Sequence, residues 1–575
     1  MSAPSTPRHD RGSAQPSASG PAVPSAAAAP PAPAPAEGTS RAAAWWLPVA
    51  VVVAVMAVLG VWGLARHNAM GNDEVASRYA AALSLGQLFH LLSHLDAVHG
   101  LYYLLLHCWI VVGSTATIIR IPSVIFMTAA AGLLVIIGRR LTGSAWAGLF
   151  VGLIMALDPV ISYYAQTARS YAMVFCCVVA ATLALVRALE SEDDARTGQA
   201  LPRGRLRGRW ITYAALITLG GYLNELSLLV LAAHAVTVLL TRYGWPTVKH
   251  WFVSGAAGAI LVLPVVALSI RERAADTGAT RPDLHDLEIL FHDYFGATIL
   301  VAVGVLAFAV FAVLPATALP AIRVWRPRAA AGAQADSVWW KRGGFCLPSV
   351  AAPLLVLPSA LLVAESVVGK ALYADRYILY CEAGAALLAG AGVYRLGQWV
   401  GPWLGRRLAG WREPGGAAAW RSLVWLPGVL VCVCALVLQF GAQQRARTPQ
   451  SRLFDFGNPA FYIGKHAHAG DGVLFFSTFY RKIRLGYPQD FRDVTDFAMA
   501  ISPQRSGTYN GFNKPLPVVR SLMLGYPRIW VVGRYPSAHV SAPAIRGESE
   551  LLMSRFTLAA KRHFKGIEVT LWLRR

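Results

Sequence analysis

A chain of 575 residues that is 55% hydrophobic and only 14% charged, with a mean hydropathy of +0.47, is too apolar for a soluble globular protein of this size. Its formal charge of +22 does not make it a nucleic-acid binder, because the basic residues are scattered over short loops between apolar runs and form no single patch or motif. The seven cysteines (Cys108, Cys176, Cys177, Cys346, Cys381, Cys432 and Cys434) fall inside apolar segments, so the polar loops show no disulfide framework and these thiols are read as packing residues.

In chain order, Met1 to Arg41 is Ala-, Pro-, Ser- and Gly-rich, a composition that buries too little surface to offset ordering entropy. Residues 1–43 are expected to be a disordered cytoplasmic tail. Trp45–Ala65 is long and apolar enough to cross the roughly 30 Å hydrocarbon layer and exceeds the core of a cleavable signal, so it is expected to be a spanning anchor. Ten further spans are predicted: Ile118–Gly138, Ser144–Tyr164, Tyr171–Leu189, Trp210–Leu223, Leu226–Leu240, Trp251–Ile270, Ala297–Leu319, Phe345–Ala364, Tyr377–Leu396 and Leu423–Phe440.

The bias of Lys and Arg toward cytoplasmic loops sets the orientation. Arg139/Arg140, Arg203/Arg205/Arg207/Arg209, Arg242/Lys249, Arg323/Arg326/Arg328/Lys341/Arg342 and Arg406/Arg407/Arg412/Arg421 are assigned to the inside. Leu101–Val112 is apolar but too short to span, and crossing there would invert every later loop. It is read as a juxtamembrane or re-entrant helix on the outer side. The expected architecture is an all-α polytopic membrane protein with about eleven transmembrane helices. It comprises residues 44–440, with a first outer loop at 66–117, followed by a small extracytoplasmic α/β domain at 441–575. In that domain Gly472–Phe476, Ile529–Val532 and Ile567–Leu573 are predicted strands, and Pro459–Ala469 and Arg546–His563 are predicted helices.

Ionisable residues at a bilayer are costly and usually mark function. On this topology they gather on the outer side: Asp73 and Glu74 after the first span, Asp96 and His99 leading into Leu101-Tyr102-Tyr103, the run Tyr163 to Tyr171 containing Gln166 and Arg169, the pair Asn224-Glu225, and Tyr373 to Tyr377 with Asp375 and Arg376. A carboxylate can take a proton from a hydroxyl, while guanidinium and tyrosine hydroxyl groups hold a phosphate through charge-assisted hydrogen bonds. Each position also has a plainer reading. Asp73-Glu74 would favour a helix start, Asp96 and His99 suit a turn, Arg169 and Arg376 would snorkel to headgroups, and Glu225 would cap a helix. Glu382 is read as a paired structural acid seven residues beyond Asp375 on one helix face. Asp158 is read as ending a helix before Pro159, and Asp493 and Asp496 as surface residues without a basic partner.

The order of these elements resembles glycosyltransferase family 39 of the GT-C superfamily, which includes protein O-mannosyltransferases and the aminoarabinose transferases of lipid A. The matching pieces are an Asp-Glu after the first span, Asp-x-x-His running into Leu-Tyr-Tyr, Tyr-x-Gln-x-x-Arg-x-Tyr, and a late Arg-Tyr turn. The resemblance covers about Trp45 to Phe440. It implies an inverting transfer from a polyprenyl-phosphate sugar, mannose by default, to an envelope acceptor that it leaves unspecified. Asp73 would be the base and Glu74 the second candidate. Arg169, Arg376, Tyr171 and Tyr377 would hold the donor phosphate, and Asp96, His99, Tyr102, Gln166 and Glu225 would line the substrate cavity. The chain departs from the family pattern at Gly100, where a proline is common, at Thr167, where an acid is usual, and at Asp375, where a proline is usual.

A nucleotide-sugar donor is disfavoured, since no Gly-rich phosphate loop or Asp-x-Asp motif stands on the inner side. Oxygen ligands at Asp73 and Glu74 suit Mg²⁺ or Mn²⁺, although the sequence does not require a metal. The rival readings are a transporter or flippase of lipid-linked sugars, which calls for broken helices and repeats, and a non-catalytic envelope scaffold acting through the C-terminal domain.

Overall fold

The computed structural model describes residues 37–65, 69–196, 202–273, 281–314, 345–409, 425–533 and 543–575. Residues 1–36 of the expected disordered tail lie outside them, as do Arg323, Arg326, Arg328, Lys341, Arg342, Arg412 and Arg421 of the basic connections. Helix α1 (Glu37–Val61) starts within the stretch expected to be disordered. It is followed by α2 (Asn72–Ala82), α3 (Leu85–Leu92) and α4 (Gly100–Trp109). The predicted juxtamembrane run Leu101–Val112 is therefore helical over most of its length.

The apolar runs form α5 (Ala116–Thr142), α6 (Ala145–Leu157), α7 (Pro159–Ala165), α8 (Tyr171–Arg196), α9 (Arg203–Leu223), α10 (Val230–Thr241), α11 (Trp245–Arg273), α12 (Leu284–Phe295), α13 (Ile299–Val313), α14 (Leu347–Val368) and α15 (Glu382–Ala409), with a further helix at Leu426–Ala446. Among the described residues five helices are long and apolar enough to cross a membrane, or up to seven if each of two bent pairs counts as one span. By this measure the expected eleven is not reached. Trp46–Val61 and Glu225–Thr241 are shorter apolar helices, and the arginines expected in a loop before Trp210 belong instead to the first turns of α9.

Two breaks shape the site. Ser144–Tyr164, predicted as one span, bends by 70° between α6 and α7. Pro159 lacks an N–H and disfavours helical geometry at the residue before it. Asp158 then caps the new helix, its Oδ1 accepting from the Val160 N–H at 3.0 Å. The second break, 67° between α12 and α13, turns at Gly296, whose φ of +122° and ψ of 151° are essentially restricted to glycine.

The C-terminal segment holds a two-stranded sheet of β3 (Met499–Ile501) and β4 (Phe512–Asn513) and a five-stranded sheet in the order β2-β1-β5-β7-β6, built from β1 (Asp471–Phe475), β2 (Val494–Asp496), β5 (Arg528–Gly533), β6 (Phe556–Phe564) and β7 (Ile567–Arg574). Strand β1 is parallel to β2 and β5, while β7 is antiparallel to β5 and β6. The three predicted strands are β1, β5 and β7, and the predicted helix Pro459–Ala469 is Gly457–His466. Arg546–His563, predicted as one helix, is a helix only to Arg555 and then becomes β6. Pairing along the whole of β7, through the hairpin turn at Gly566 (φ +77°), overrides local preference there.

Asp496, expected at the surface, is buried with Oδ2 2.6 Å from Arg481 Nε, whereas Asp493 is exposed as expected. Alternation along β1 sends Val473 and Phe475 into a core continuous with Phe150 and Leu387 of the helices. Leu474 and Phe476 enter a separate cluster with Val519, Met523 and Trp572 on the other face. Trp46–Arg575 forms one compact unit.

Candidate active site

A cavity of about 980 Å³ opens between the start of α2, α7, α12, the 375–376 turn and the segment after Leu426–Ala446. Of the sequence candidates, Asp73, Glu74, Tyr171 and Arg376 line it. Asp73 stands in the first turn of α2 with about a third of its side chain exposed, and it accepts from Asn72 Nδ2 at 3.1 Å. Arg169 is one contact deeper, its Nη2 3.8 Å from Asp73 Oδ1 and 3.6 Å from Asp96 Oδ2, and it donates through Nη1 to the Tyr103 hydroxyl.

Burial alone would raise the Asp73 carboxyl, but the Arg169 and Arg376 cations outweigh it and hold the group below its ordinary range. The Asp73 carboxyl is therefore ionised near neutral pH. Asp96 sits in a left-handed turn (φ +61°) and accepts at Oδ2 from the hydroxyls of Tyr103 at 2.7 Å and Tyr509 at 2.8 Å. Against the upward push of burial, Arg169 and these hydroxyls hold Asp96 at about 2. His99 is buried, with Nδ1 3.2 Å from Ser170 Oγ; burial and the neighbouring Arg169 charge push it down to about 3, so the ring is neutral.

Other candidates are occupied elsewhere. Both oxygens of Glu74 accept from Arg120, at 2.6 Å from Nε and 2.8 Å from Nη2, and the carboxylate also takes the Ala168 and Gly71 N–H groups at 3.1 and 3.2 Å. Gln166 donates to the carbonyls of Gly60 and Trp62, each at 2.9 Å, closing the end of α1. Glu225 accepts from Ser269 at 2.7 Å, away from the cavity wall. Tyr102 is fully buried, and its hydroxyl finds no partner among the described residues.

Arg376 lies over the Tyr377 ring at 5.3 Å, and Tyr377 is 6.5 Å from the Tyr171 ring. Glu382, expected to be paired and to share a helix face with Asp375, begins α15 beyond two short turns, so no common helix relates the two. It is buried, with Oε2 unpartnered among the described residues.

The sequence reading missed several lining groups. Arg452 donates to Thr167 Oγ1 at 2.6 Å and to the Gln166 carbonyl at 2.8 Å, and its guanidinium lies 4.5 Å from the Tyr163 ring centroid. Thr167 thus carries the hydroxyl that meets the Arg452 cation. A polar face of α12 (His285, Glu288, His292, Asp293) and Asp158, Arg445 and Lys565 complete the wall. Arg120, an arginine within an apolar run, carried a signal that intramembrane charge rules could have used. Tyr509 and Arg452, in the irregular C-terminal segment, carried none. Among the described residues no group of three or more His, Cys, Asp or Glu side chains is arranged to hold a metal ion.

No family model matches the chain, and no curated protein matches it by sequence. Among solved structures, ArnT from Cupriavidus metallidurans in the apo state has a TM-score of 0.56 at 13% identity, covering 92% of this chain and 98% of that one. ArnT from the same organism bound to undecaprenyl phosphate scores 0.50 at 14% identity, covering 91% and 97%. The likeness to these two structures is one of fold.

Proposed function

We propose that the chain is an integral membrane glycosyltransferase that takes a sugar from a polyprenyl-phosphate carrier, at a cavity facing the extracytoplasmic side, and passes it to an envelope acceptor. The observation that carries this reading is Asp73 on the wall of the cavity with Arg169 behind it and Arg376 on the same wall. Asp73 takes the acceptor hydroxyl proton, the acceptor oxygen bonds the anomeric carbon, and the bond from that carbon to the carrier phosphate breaks with its electron pair leaving on the phosphate. Attack from the opposite face inverts the anomeric configuration. Arg169 and Arg376 balance the charge growing on the phosphate.

Glu74 is given no part in proton transfer, since Arg120 already claims both of its oxygens. The family resemblance makes mannose the first sugar to test, and the undecaprenyl phosphate in the ArnT structure makes that lipid the first carrier. The topology proposed with this reading has the N-terminus in the cytoplasm and residues 441–575 outside.

Membranes containing the wild-type chain, supplied with polyprenyl-phosphate mannose and then other polyprenyl-phosphate sugars, should form a glycosylated product. Asp73→Asn should lower the rate by about 10²–10⁴-fold, as expected for loss of a general base, and Arg169→Ala by about 10²-fold or more. Variants that insert normally and transfer at the wild-type rate would overturn the proposal. The bends at Asp158 and Gly296 are what the flippase reading asks for, and movement of the carrier across the bilayer without a new glycosidic bond would decide for it.

A further inference from the structure

Arg169 stands between two carboxylates and closes on neither, at 3.8 Å from Asp73 and 3.6 Å from Asp96. A relaxed guanidinium–carboxylate hydrogen bond is shorter, about 2.7–2.9 Å. The Asp96 oxygen nearest Arg169 is Oδ2, the same atom that accepts from Tyr103 and Tyr509. Two hydroxyl donors on one carboxylate oxygen occupy the directions from which Arg169 would otherwise approach.

Tyr103 lies on α4 close to Asp96 in sequence, but Tyr509 comes from the C-terminal segment. It is buried, its oxygen is 3.1 Å from the Tyr103 oxygen, and its ring makes a T-shaped pair with Tyr79 of α2 at 6.0 Å between centroids. The turn that delivers it passes through Gly507 (φ +63°), packed so closely on α3 and the turn after it that a Cβ there would sit 3.0 Å from His94 Nδ1 and 3.1 Å from His90 Nε2. A residue from beyond the helical part is thus held in a fixed position against the acid that competes for Arg169.

We propose that Tyr509 is a positioning residue of the transfer site: by occupying Asp96 Oδ2 it keeps the Arg169 guanidinium from collapsing onto Asp96 and leaves it available to Asp73 and to the carrier phosphate. This rests on the reading of Arg169 as the phosphate-binding group. The C-terminal segment is then part of the donor site, and its attachment sets donor affinity.

The test is a double-mutant cycle on the purified full-length protein, with undecaprenyl phosphate binding as the readout. Tyr509→Phe, which removes only the hydroxyl, should weaken binding about 3- to 10-fold, the scale of one hydrogen bond. In an Asp96→Asn background, where no carboxylate competes for Arg169, the same change should cost less than about twofold. Gly507→Ala, which strains the turn carrying Tyr509 without altering any site group, should weaken binding in the same sense and be suppressed likewise.

If Tyr509→Phe binds as wild type, or costs the same factor in both backgrounds as a packing defect would, the role assigned to Tyr509 is wrong. Arg169→Ala, run in parallel, should lose binding. Were it to bind as tightly as wild type, the phosphate reading itself would fall.

Discussion

Glu74 is enclosed by Arg120 and two backbone N–H groups, while Asp73, one residue earlier on the same helix, faces open volume. Burial would raise the Glu74 carboxyl, but Arg120 and Arg452 bring it down to about 2 from an ordinary 4.5. A depressed carboxylate contributes stability that is fully present above pH 4.5 and is lost as the pH falls toward 2. Glu74→Gln leaves the buried Arg120 without its counter-charge and should cost about 3–5 kcal/mol near pH 7. The gap between wild type and variant should narrow steadily below pH 4.5. Asp73→Asn should change stability far less while removing transfer. Thermal unfolding in detergent from pH 7 to 3 checks this, and a gap that stays constant with pH would contradict the assignment. The acid pair itself was legible in the sequence because it follows the first apolar run. Which of the two is locked in an ion pair was not, since that depends on Arg120, 46 residues away, and on a backbone N–H at Ala168. Gln166 illustrates the same point: its motif position was visible, but its amide serves the carbonyls at the end of α1.

The elements were legible wherever hydropathy alone decides. Runs such as Tyr171–Leu189 and strands such as Ile529–Val532 are found where composition puts them, because a fully apolar stretch has few other ways to bury itself. Bends were not legible, because α6 and α7 are apolar on both sides of Asp158 and a hydropathy window passes over a 70° turn. Helix α12 was missed because its polar face breaks the apolar pattern, and that face proves to line the cavity. Its placement depends on Gly296, where a Cβ would meet Val301 Cγ1 at 2.8 Å and Gln439 Oε1 at 3.0 Å. Gly296→Ala should therefore cost about 1–3 kcal/mol in backbone strain and shift α12. Asp73 and Arg169 stand on other elements, so undecaprenyl phosphate should bind within about twofold of wild type while transfer in membranes drops. Equal losses in binding and transfer would show that α12 does not act separately from the donor side.

At the scale of the whole molecule the C-terminal segment is tied to the helical part at the site itself. Tyr487 accepts from the Met70 N–H at 2.5 Å, Arg78 donates to the Gly486 carbonyl at 2.6 Å, Lys482 reaches Asn72 Oδ1 at 3.1 Å beside Asp73, and Arg452 holds the 166–167 turn. These ties join residues 285 to 417 positions apart, and so the sequence, read as separate helical and α/β parts, offered no view of them. They also run through one continuous hydrophobic core that includes Tyr79, Tyr487 and Trp530, so a ligand that orders the start of α2 must also restrain the segment packed on it. A ligand that binds only the folded state stabilises it by RT ln(1 + [L]/Kd), about 2.7 kcal/mol at a hundredfold excess over Kd. Undecaprenyl phosphate at that excess should slow hydrogen exchange in α2 and, by a comparable factor, in residues 482–487 and around Tyr509. A sheet that behaved as a separate module would leave the exchange of those residues unchanged while α2 slowed, and that pattern would refute the joint construction of the site.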